Sequence, residues 1–266
     1  MYPTMNITVF DTETTGLLPK TAYPGAPRII NPVNLDSYPY IIQLSFARFN
    51  KDKISAVKDY VIKIQININI PEESIALHHI TREISDTKGV PIEQALRAFC
   101  KQLFRSSNTV LVAHNLEFDW VMIKVELMRI ICNNPYKPAH EQLSKEDIKQ
   151  FKDYLFQIQH YQQDRMICTM KTTTEFCKLP STTKKKDYKW PKLMELHEIL
   201  FRCIPNNLHN SLYDVLVTLR CFMKYFHEVD LLECCEDFKK HSMELYNIEY
   251  VPVLRRSERL KHKYIH

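Results

Sequence analysis

Two carboxylates lie close together near the start of the chain. Asp11 and Glu13 follow the short apolar run at residues 7–10, which predicts a strand that ends at this pair. Side chains two residues apart on a strand project to the same side of the backbone, so these two carboxylates face the same way. Their repulsion is tolerable only if a cation or a proton lies between them. The pair therefore predicts a cation-binding site.

Three further residues complete a set that could bind metal ions and activate water. Asp119 and Asp214 each lie in an otherwise apolar segment, and a buried aspartate without a partner is costly, which favours a ligand role for both. His209 could accept a proton, because an imidazole changes its protonation state near neutral pH. Hard ions such as Mg²⁺ prefer carboxylate oxygens, and two of them can clamp the attacking and leaving oxygens of a displacement at phosphorus. The set predicts a two-metal phosphodiesterase.

Each motif taken alone has a plainer explanation. The Asp11 and Glu13 pair could belong to a turn that includes Gly16, because Asp and Thr favour turns. His209 could be a packing residue at the start of a helix. All the motifs together, in one order along the chain, are an improbable coincidence, and this favours the metal site over the separate explanations.

Composition excludes several other classes of protein. Hydrophobic residues make up 45% and charged residues 25% of the chain, as is ordinary for a soluble globular protein. Only three glycines occur, which excludes the P-loop and the dinucleotide-binding fingerprint. Eight cysteines include no Cys-x-x-Cys pair, so we expect neither a zinc ribbon nor a disulfide framework. Without a signal-peptide pattern or a membrane-length apolar run, we expect a soluble intracellular protein of the cytoplasm or nucleus, neither secreted nor membrane-bound.

Apolar periodicity predicts strands in the first part of the chain and helices in the later part, which is typical of an α/β fold. The predicted strands cover residues 6–10, 41–50, 54–65 and 109–113. The predicted helices follow Thr81 and Pro91 and cover residues 114–131, 145–159, 193–200 and 209–226. One domain is expected over residues 1–250, with insertions at 18–40, a proline-rich loop, and at 133–165, followed by a basic tail over 251–266.

Two basic clusters could contact the phosphate backbone of a nucleic acid. Their plainer interpretation is a solvated loop and a solvated tail. The residues concerned are Lys184, Lys185 and Lys186 in the loop and Arg255 and Arg256 in the tail.

The three acidic motifs resemble those of the DEDDh branch of the DnaQ-like 3′→5′ exonucleases, within the ribonuclease-H-like superfamily. The motif Asp-x-Glu-Thr matches residues 11–14, His-Asn-x-x-Phe-Asp matches residues 114–119, and His-x-x-x-x-Asp matches residues 209–214. The sister branch has a tyrosine four residues before the last aspartate, where this chain has Asn210. The long proline-rich loop at 18–40 resembles that of viral and phage-type members.

The resemblance implies a mixed five-stranded sheet with helices on both sides and an enzyme that removes nucleoside 5′-monophosphates from 3′ ends. It implies two Mg²⁺ ions, which Mn²⁺ can replace. Asp11 would bridge the ions, Glu13 and Asp214 would complete the site of the water-activating ion, and Asp119 would hold the second ion largely through water. His209 would be the general base. The implied partners are single-stranded or frayed 3′ ends of DNA, as in proofreading or repair, and a DNA polymerase.

The resemblance also implies which residues contact the terminal nucleotides. A segment at residues 77–81 resembles the His-Gly-Ile-Thr segment of the family, with His79 in place of the glycine. The implied substrate-binding residues are Thr12, Thr14, Thr15, Leu17, Glu73, His78, His114, Asn115 and Phe118.

Two alternatives remain open at the level of the sequence. One keeps the same residues and chemistry but takes RNA ends as the substrate. The other is a nucleic-acid-binding module that keeps the fold without catalysis.

Overall fold

A mixed sheet of five strands forms the centre of the protein. The computed structural model describes residues 6–21, 28–133, 139–181, 187–205 and 208–246. The strands are β1 (Asn6–Thr14), β2 (Ile41–Asn50), β3 (Lys53–Val61), β4 (Thr109–Ala113) and β5 (Met166–Cys168), in the order β3-β2-β1-β4-β5. Strand β2 runs antiparallel to β1 and β3, whereas β4 runs parallel to β1 and β5. This confirms the ribonuclease-H-like sheet expected from the sequence.

Helices cover both faces of the sheet. They are α1 (Glu72–His78), α2 (Arg82–Lys88), α3 (Ile92–Leu103), α4 (Leu116–Asn133), α5 (Lys145–Gln159), α6 (Thr169–Thr172), α7 (Thr174–Cys177), α8 (Leu193–Phe201), α9 (Ser211–His227), α10 (Leu231–Cys234) and α11 (Glu236–Tyr246). Within the described ranges, no helix is long and apolar enough to cross a bilayer.

Alternation along the strands divides the core between two helical layers. Phe10 packs with Phe99 of α3 on one face, and its neighbour Val9 packs with Leu219 of α9 on the other. All four side chains are fully buried, and burial of each contributes roughly 1.5–3 kcal/mol. Helices on both sides of the sheet are therefore confirmed, and β1 lies between the two layers.

The structure corrects several boundaries predicted from the sequence. Strand β1 continues to Thr14, because the polar Thr12 and Thr14 are buried and still belong to the sheet. The two carboxylates therefore lie within the strand and not at its end. Strand β3 ends at Val61, four residues early, because the chain then bridges to Val90.

Several helices lie in segments where the sequence predicted none, among them α1, a 3₁₀ helix, α6, α7, α10 and α11. Helix α1 follows Pro71 without a side-chain cap, which leaves little sequence signal for its start. A 3₁₀ helix, Pro32–Ser37, lies inside the predicted proline-rich loop, where Asn31 caps it. The basic cluster at 184–186 and the tail with Arg255 and Arg256 lie outside the described residues.

Candidate active site

Strand β1 supplies the first two carboxylates at its carboxyl end. Asp11 pairs with Ser45 of β2 and Glu13 pairs with Gln43, just before an irregularity in the register. Alternation places Asp11 and Glu13 on the α9 side of the sheet and the intervening Thr12 on the α4 side. The strand thus presents two acids to one helix and a hydroxyl to the other.

Helix α4 supplies Asp119, and Thr12 holds it against β1. The Thr12 backbone N–H and Oγ1 both donate to Asp119 Oδ1, at 3.0 and 2.7 Å. Asn115 has a φ of 71°, and this left-handed conformation turns the chain between the end of β4 and the start of α4 at Leu116. Asp119 is 2% exposed and lies in the first turn of the helix, where the positive end of the helix dipole favours an anion.

Helix α9 brings Asp214 and His209 to Glu13. Each of these three residues offers one possible ligand atom, and the three atoms lie within 4.8 Å of one another. His209 has a φ of 74°, and its backbone N–H donates to Asp214 Oδ2 at 3.2 Å. Asn210 then caps the helix by accepting from the backbone N–H of Leu212 at 3.2 Å. The predicted helix start at 209 is therefore wrong by two residues, because this turn precedes it.

Burial raises the pKa of all four carboxyl groups, and repulsion between the acids raises it further for Asp11, Glu13 and Asp119. The pKa of Asp11 is raised first by burial and then by the charges of Asp119, Asp214 and Glu13. Burial followed by the same kind of repulsion raises the pKa of Glu13 to about 8. Burial raises the pKa of Asp119 and of Asp214 to about 7, although hydrogen bonds from Thr12 and from His209 act in the opposite direction.

A divalent cation fits this cluster. Asp214 Oδ1 is buried and has no hydrogen-bond partner among the residues that the structure describes. It is therefore an oxygen that a cation could satisfy. Carboxylate oxygens are suitable ligands for Mg²⁺ or Mn²⁺. Since the carboxylates repel one another without a cation, bound positive charge would return them to the ionised form.

A buried polar network that the sequence analysis missed fixes the start of α9. Ser211 N–H donates to Gln43 Oε1 at 3.2 Å, and Ser211 Oγ bonds Ser45 Oγ. Gln43 Nε2 and Ser45 Oγ both donate to Asp59 Oδ1, at 2.8 and 2.7 Å. The available signal was Gln43 and Ser45 themselves, two polar residues on one face of a largely apolar strand. The network joins β2 to the turn that carries His209.

Replacement of Gln43 by Leu should displace this turn. The buried Ser211 N–H loses its acceptor, which should lower the free energy of unfolding by about 1–3 kcal/mol. We expect kcat on an oligonucleotide to fall by roughly 10- to 100-fold, because small displacements of catalytic groups are expensive. Asp59→Asn, which keeps an acceptor oxygen at the exposed end of the network, is the matched control. Equal kcat in Gln43→Leu and wild type would show that the network does not position the turn.

The threonines expected to contact substrate also hold the loop after β1. Thr14 Oγ1 donates to the Gly16 carbonyl at 2.6 Å. Thr15 Oγ1 accepts from the Tyr40 N–H at 2.9 Å. Leu17 is 86% exposed, which leaves it accessible to a ligand.

His114 connects three segments through its ring. Its Nδ1 lies 3.0 Å from Thr169 Oγ1, and its Nε2 lies 3.1 Å from the Pro191 carbonyl oxygen. Burial lowers the pKa of His114 to about 4, so the ring is neutral at pH 7 and donates from Nε2 to the carbonyl. Asn115 is exposed, and Phe118, in the first turn of α4, packs against the core.

The remaining two expected residues lie in α1. Glu73 is exposed, whereas His78 is 4% exposed and accepts from the Ile80 N–H at 3.0 Å. Burial, followed by the charge of His79, lowers the pKa of His78 to about 4. His79 has a φ of 60°, so it adopts the left-handed conformation that a glycine would favour. No hydrogen bond among the described residues joins Glu73 or His78 to the four carboxylates.

The RNase T family model, described as "Exonuclease", matches residues 8–222, which contain all three acidic motifs. Among solved structures, the chain is similar to Escherichia coli exonuclease I in complex with a dT13 oligonucleotide, at 13% identity and a TM-score of 0.52, over 83% of this chain and 41% of that one. It is also similar to an exonuclease I structure described as suggesting how processivity is achieved, at 12% identity and a TM-score of 0.51, over 89% of this chain and 43% of that one. This chain thus spans about two fifths of those proteins, and the likeness shows a shared fold. No curated protein sequence matches it.

Proposed function

The chain belongs to the exonuclease family, and we propose that it is a 3′→5′ exonuclease of the histidine branch that acts on single-stranded DNA ends. The observation that carries the proposal is the convergence of Glu13, His209 and Asp214 within 4.8 Å. Burial raises the pKa of Asp11 and of Glu13, and the charge of Asp119, which Thr12 holds, raises both further, so Asp11 and Asp119 also lie near this group. Nuclease chemistry at one terminal phosphodiester needs this combination of acids and one base.

Two divalent ions, when bound, would supply positive charge for the attacking and leaving oxygens. We propose that Asp11, Glu13 and Asp214 hold one ion and that Asp11 and Asp119 serve the other. Thr12 would keep Asp119 oriented through its two hydrogen bonds. Both bonds go to Oδ1, so Thr12 does not engage the second carboxylate oxygen, Oδ2. Mg²⁺ is the proposed ion, and Mn²⁺ would replace it.

His209 would act as the general base. Its ring is exposed, so water can reach it, and its backbone is fixed to Asp214. The ring takes one proton from water while the water oxygen bonds to the terminal phosphorus and the bond from phosphorus to the upstream O3′ breaks. The departing O3′ takes a proton from solvent. The products are a nucleoside 5′-monophosphate and a strand one nucleotide shorter with a free 3′ hydroxyl.

The proposed preference for DNA is supported by the structural likeness to a protein described in complex with a dT13 oligonucleotide. The same residues could act on RNA, and a fold that only binds nucleic acid is the other alternative. A proofreading or repair role on frayed ends belongs to the same proposal. A primer with a mismatched 3′ end, compared with a matched primer, tests that role.

A digestion ladder tests the proposed function. DNA and RNA strands of the same sequence carry a fluorophore at the 5′ end and are incubated with Mg²⁺ or Mn²⁺. We expect labelled DNA to shorten one nucleotide at a time, with release of nucleoside 5′-monophosphates, and we expect RNA to be digested more slowly. Immediate release of the labelled nucleotide would contradict the direction, faster digestion of RNA would contradict the substrate, and intact strands with both ions would contradict catalysis.

A further inference from the structure

A half-exposed tryptophan lies beside a lysine on the surface next to the candidate site. Trp190 is 46% exposed, and Lys171 Nζ lies 5.5 Å from the centroid of its ring. Lys171 also forms an ion pair of 2.8 Å with Glu117, and its side chain remains 43% exposed. We name Trp190 and Lys171 together the Trp–Lys patch. It combines an aromatic surface that solvent can reach with a positive charge.

Short connections tie the Trp–Lys patch to the catalytic carboxylates. Glu117, which pairs with Lys171, lies two residues before Asp119 on α4. His114 holds the carbonyl of Pro191, the residue after Trp190, at 3.1 Å. The parallel register pairs Val9 with Val112, so His114 lies level with Asp11 when that register is extended by two residues. Adjacent strands lie roughly 4.8 Å apart. The patch is therefore on the β4 side of the carboxylates.

The chemistry of the Trp–Lys patch suits a nucleotide. An aromatic ring stacks on any nucleobase, because every base has a π-face, and a neighbouring lysine can contact the phosphate. In the proposed function, the candidate site binds the scissile phosphate at the 3′ end. A strand that continues from it must pass over the adjoining surface, and the patch offers a base-stacking group there.

We propose that the Trp–Lys patch is a subsite for a nucleobase upstream of the 3′ end, with Lys171 at a phosphate of the same strand. This proposal rests on the proposed exonuclease function. A base inside a duplex cannot stack on a side chain, so the subsite selects single strands. It would also hold the shortened strand after each cut.

Replacement of Trp190 by Leu and by Phe tests the subsite through substrate length. Leu is apolar but cannot stack, whereas Phe can. The long substrate is a single-stranded DNA 12-mer, and the short one is thymidine 5′-monophosphate p-nitrophenyl ester, which lacks any upstream nucleotide. For the 12-mer we expect Trp190→Leu to raise KM by roughly 5- to 140-fold with little change in kcat, the range that loss of one stacked base predicts. Trp190→Phe should stay close to wild type.

Two outcomes would overturn the subsite. An unchanged KM for the 12-mer in Trp190→Leu would show that the ring does not meet the strand. An equal loss on the short ester would show that Trp190 only supports the carboxylate cluster. Circular dichroism and thermal unfolding show whether Trp190→Leu is folded.

Fluorescence tests the subsite independently of catalysis. The chain has two tryptophans, and the other, Trp120, is only 7% exposed. A 12-mer is titrated into the Asp11→Asn variant, whose expected turnover is too slow to digest the strand during the titration. We expect saturable quenching that disappears when Trp190→Phe is added to that variant. Quenching that persists without Trp190 would overturn the subsite. Inactive wild-type protein that still shows Trp190 quenching would overturn the proposed function and leave the subsite standing.

Discussion

Replacement of Asp11 by Asn is expected to reduce turnover on a DNA strand by about 10³-fold or more. The change keeps the shape of the side chain but removes the charge from the residue proposed to serve both ions. Stabilisation of transition-state charge by metal ions is worth several kcal/mol, and each 1.36 kcal/mol corresponds to a factor of ten in rate. Single-turnover rates at saturating Mg²⁺ measure the effect. Asp153→Asn, which neutralises an exposed carboxylate on α5, should leave the rate unchanged.

The same substitution should stabilise the protein when metal is absent. Glu13, with a pKa of about 8, and Asp214, with a pKa of about 7, lie above the ordinary carboxyl range. A group whose pKa is raised on folding contributes stability at low pH, and this stability is lost as pH rises through the folded-state pKa. Metal-free wild type should therefore lose stability between about pH 4 and pH 8. The pKa of Asp11 itself is raised by burial and by the charges of Asp119, Asp214 and Glu13, so Asp11→Asn removes the cost of ionising this group at high pH.

Thermal unfolding with EDTA checks the stability effect. At pH 8 we expect a higher Tm for Asp11→Asn than for wild type, and the difference should shrink at pH 5. Added Mg²⁺ should raise the Tm of wild type more than that of the variant, because binding to the folded state stabilises it. A variant that retains a tenth of wild-type turnover, or that gains as much Tm from Mg²⁺, would contradict the role assigned to Asp11.

Local spacing made the candidate set of four acids visible in the sequence, because each acid lies within the strand or helix that positions it. Asp11 and Glu13 share one side of a strand, and Asp119 and Asp214 each lie in the first turn of a helix. Apolar periodicity likewise predicted four of the five strands, whereas the fifth strand and the helices on both sides of the sheet were implied by the family resemblance. The motifs carry no information on the contacts between residues far apart in sequence that bring one element next to another.

Contacts between distant segments account for what sequence analysis missed. The hydrogen bond between Ser211 and Gln43 joins residues 168 positions apart. The bond between His114 and Pro191 joins residues 77 apart, so a histidine expected to bind substrate also links two segments of the chain. Neither hydrogen bond follows from apolar periodicity, because the partner of each polar residue is known only once the chain is folded. The sequence also did not predict that β1 extends to Thr14, because its buried threonines look like surface residues in the sequence.

Replacement of His209 by Asn is expected to lower kcat by about 10²- to 10⁴-fold, the usual contribution of a general base. Asn is the suitable replacement because His209 has a φ of 74°, and Asn tolerates the left-handed conformation better than most residues. The amide cannot take a proton from water at neutral pH, whereas the backbone bond to Asp214 can persist. His209→Ala removes the same ring, and its kcat should be lowered at least as much. Single-turnover rates between pH 5 and pH 9 measure both the loss and the shape of the profile.

The pH profile separates a base from a metal ligand at position 209. If the ring accepts the proton, the acidic limb of the wild-type profile should disappear or move in His209→Asn, while Mg²⁺ affinity measured by calorimetry changes little. The ring also lies within 4.8 Å of ligand atoms on Glu13 and Asp214, so it could bind the ion instead. In that case Mg²⁺ affinity would fall, and saturating metal would restore the rate with the acidic limb unchanged. Since the His209 ring is exposed while Asp214 is 9% exposed, water reaches the imidazole more readily than the carboxylate, which favours proton transfer as its role.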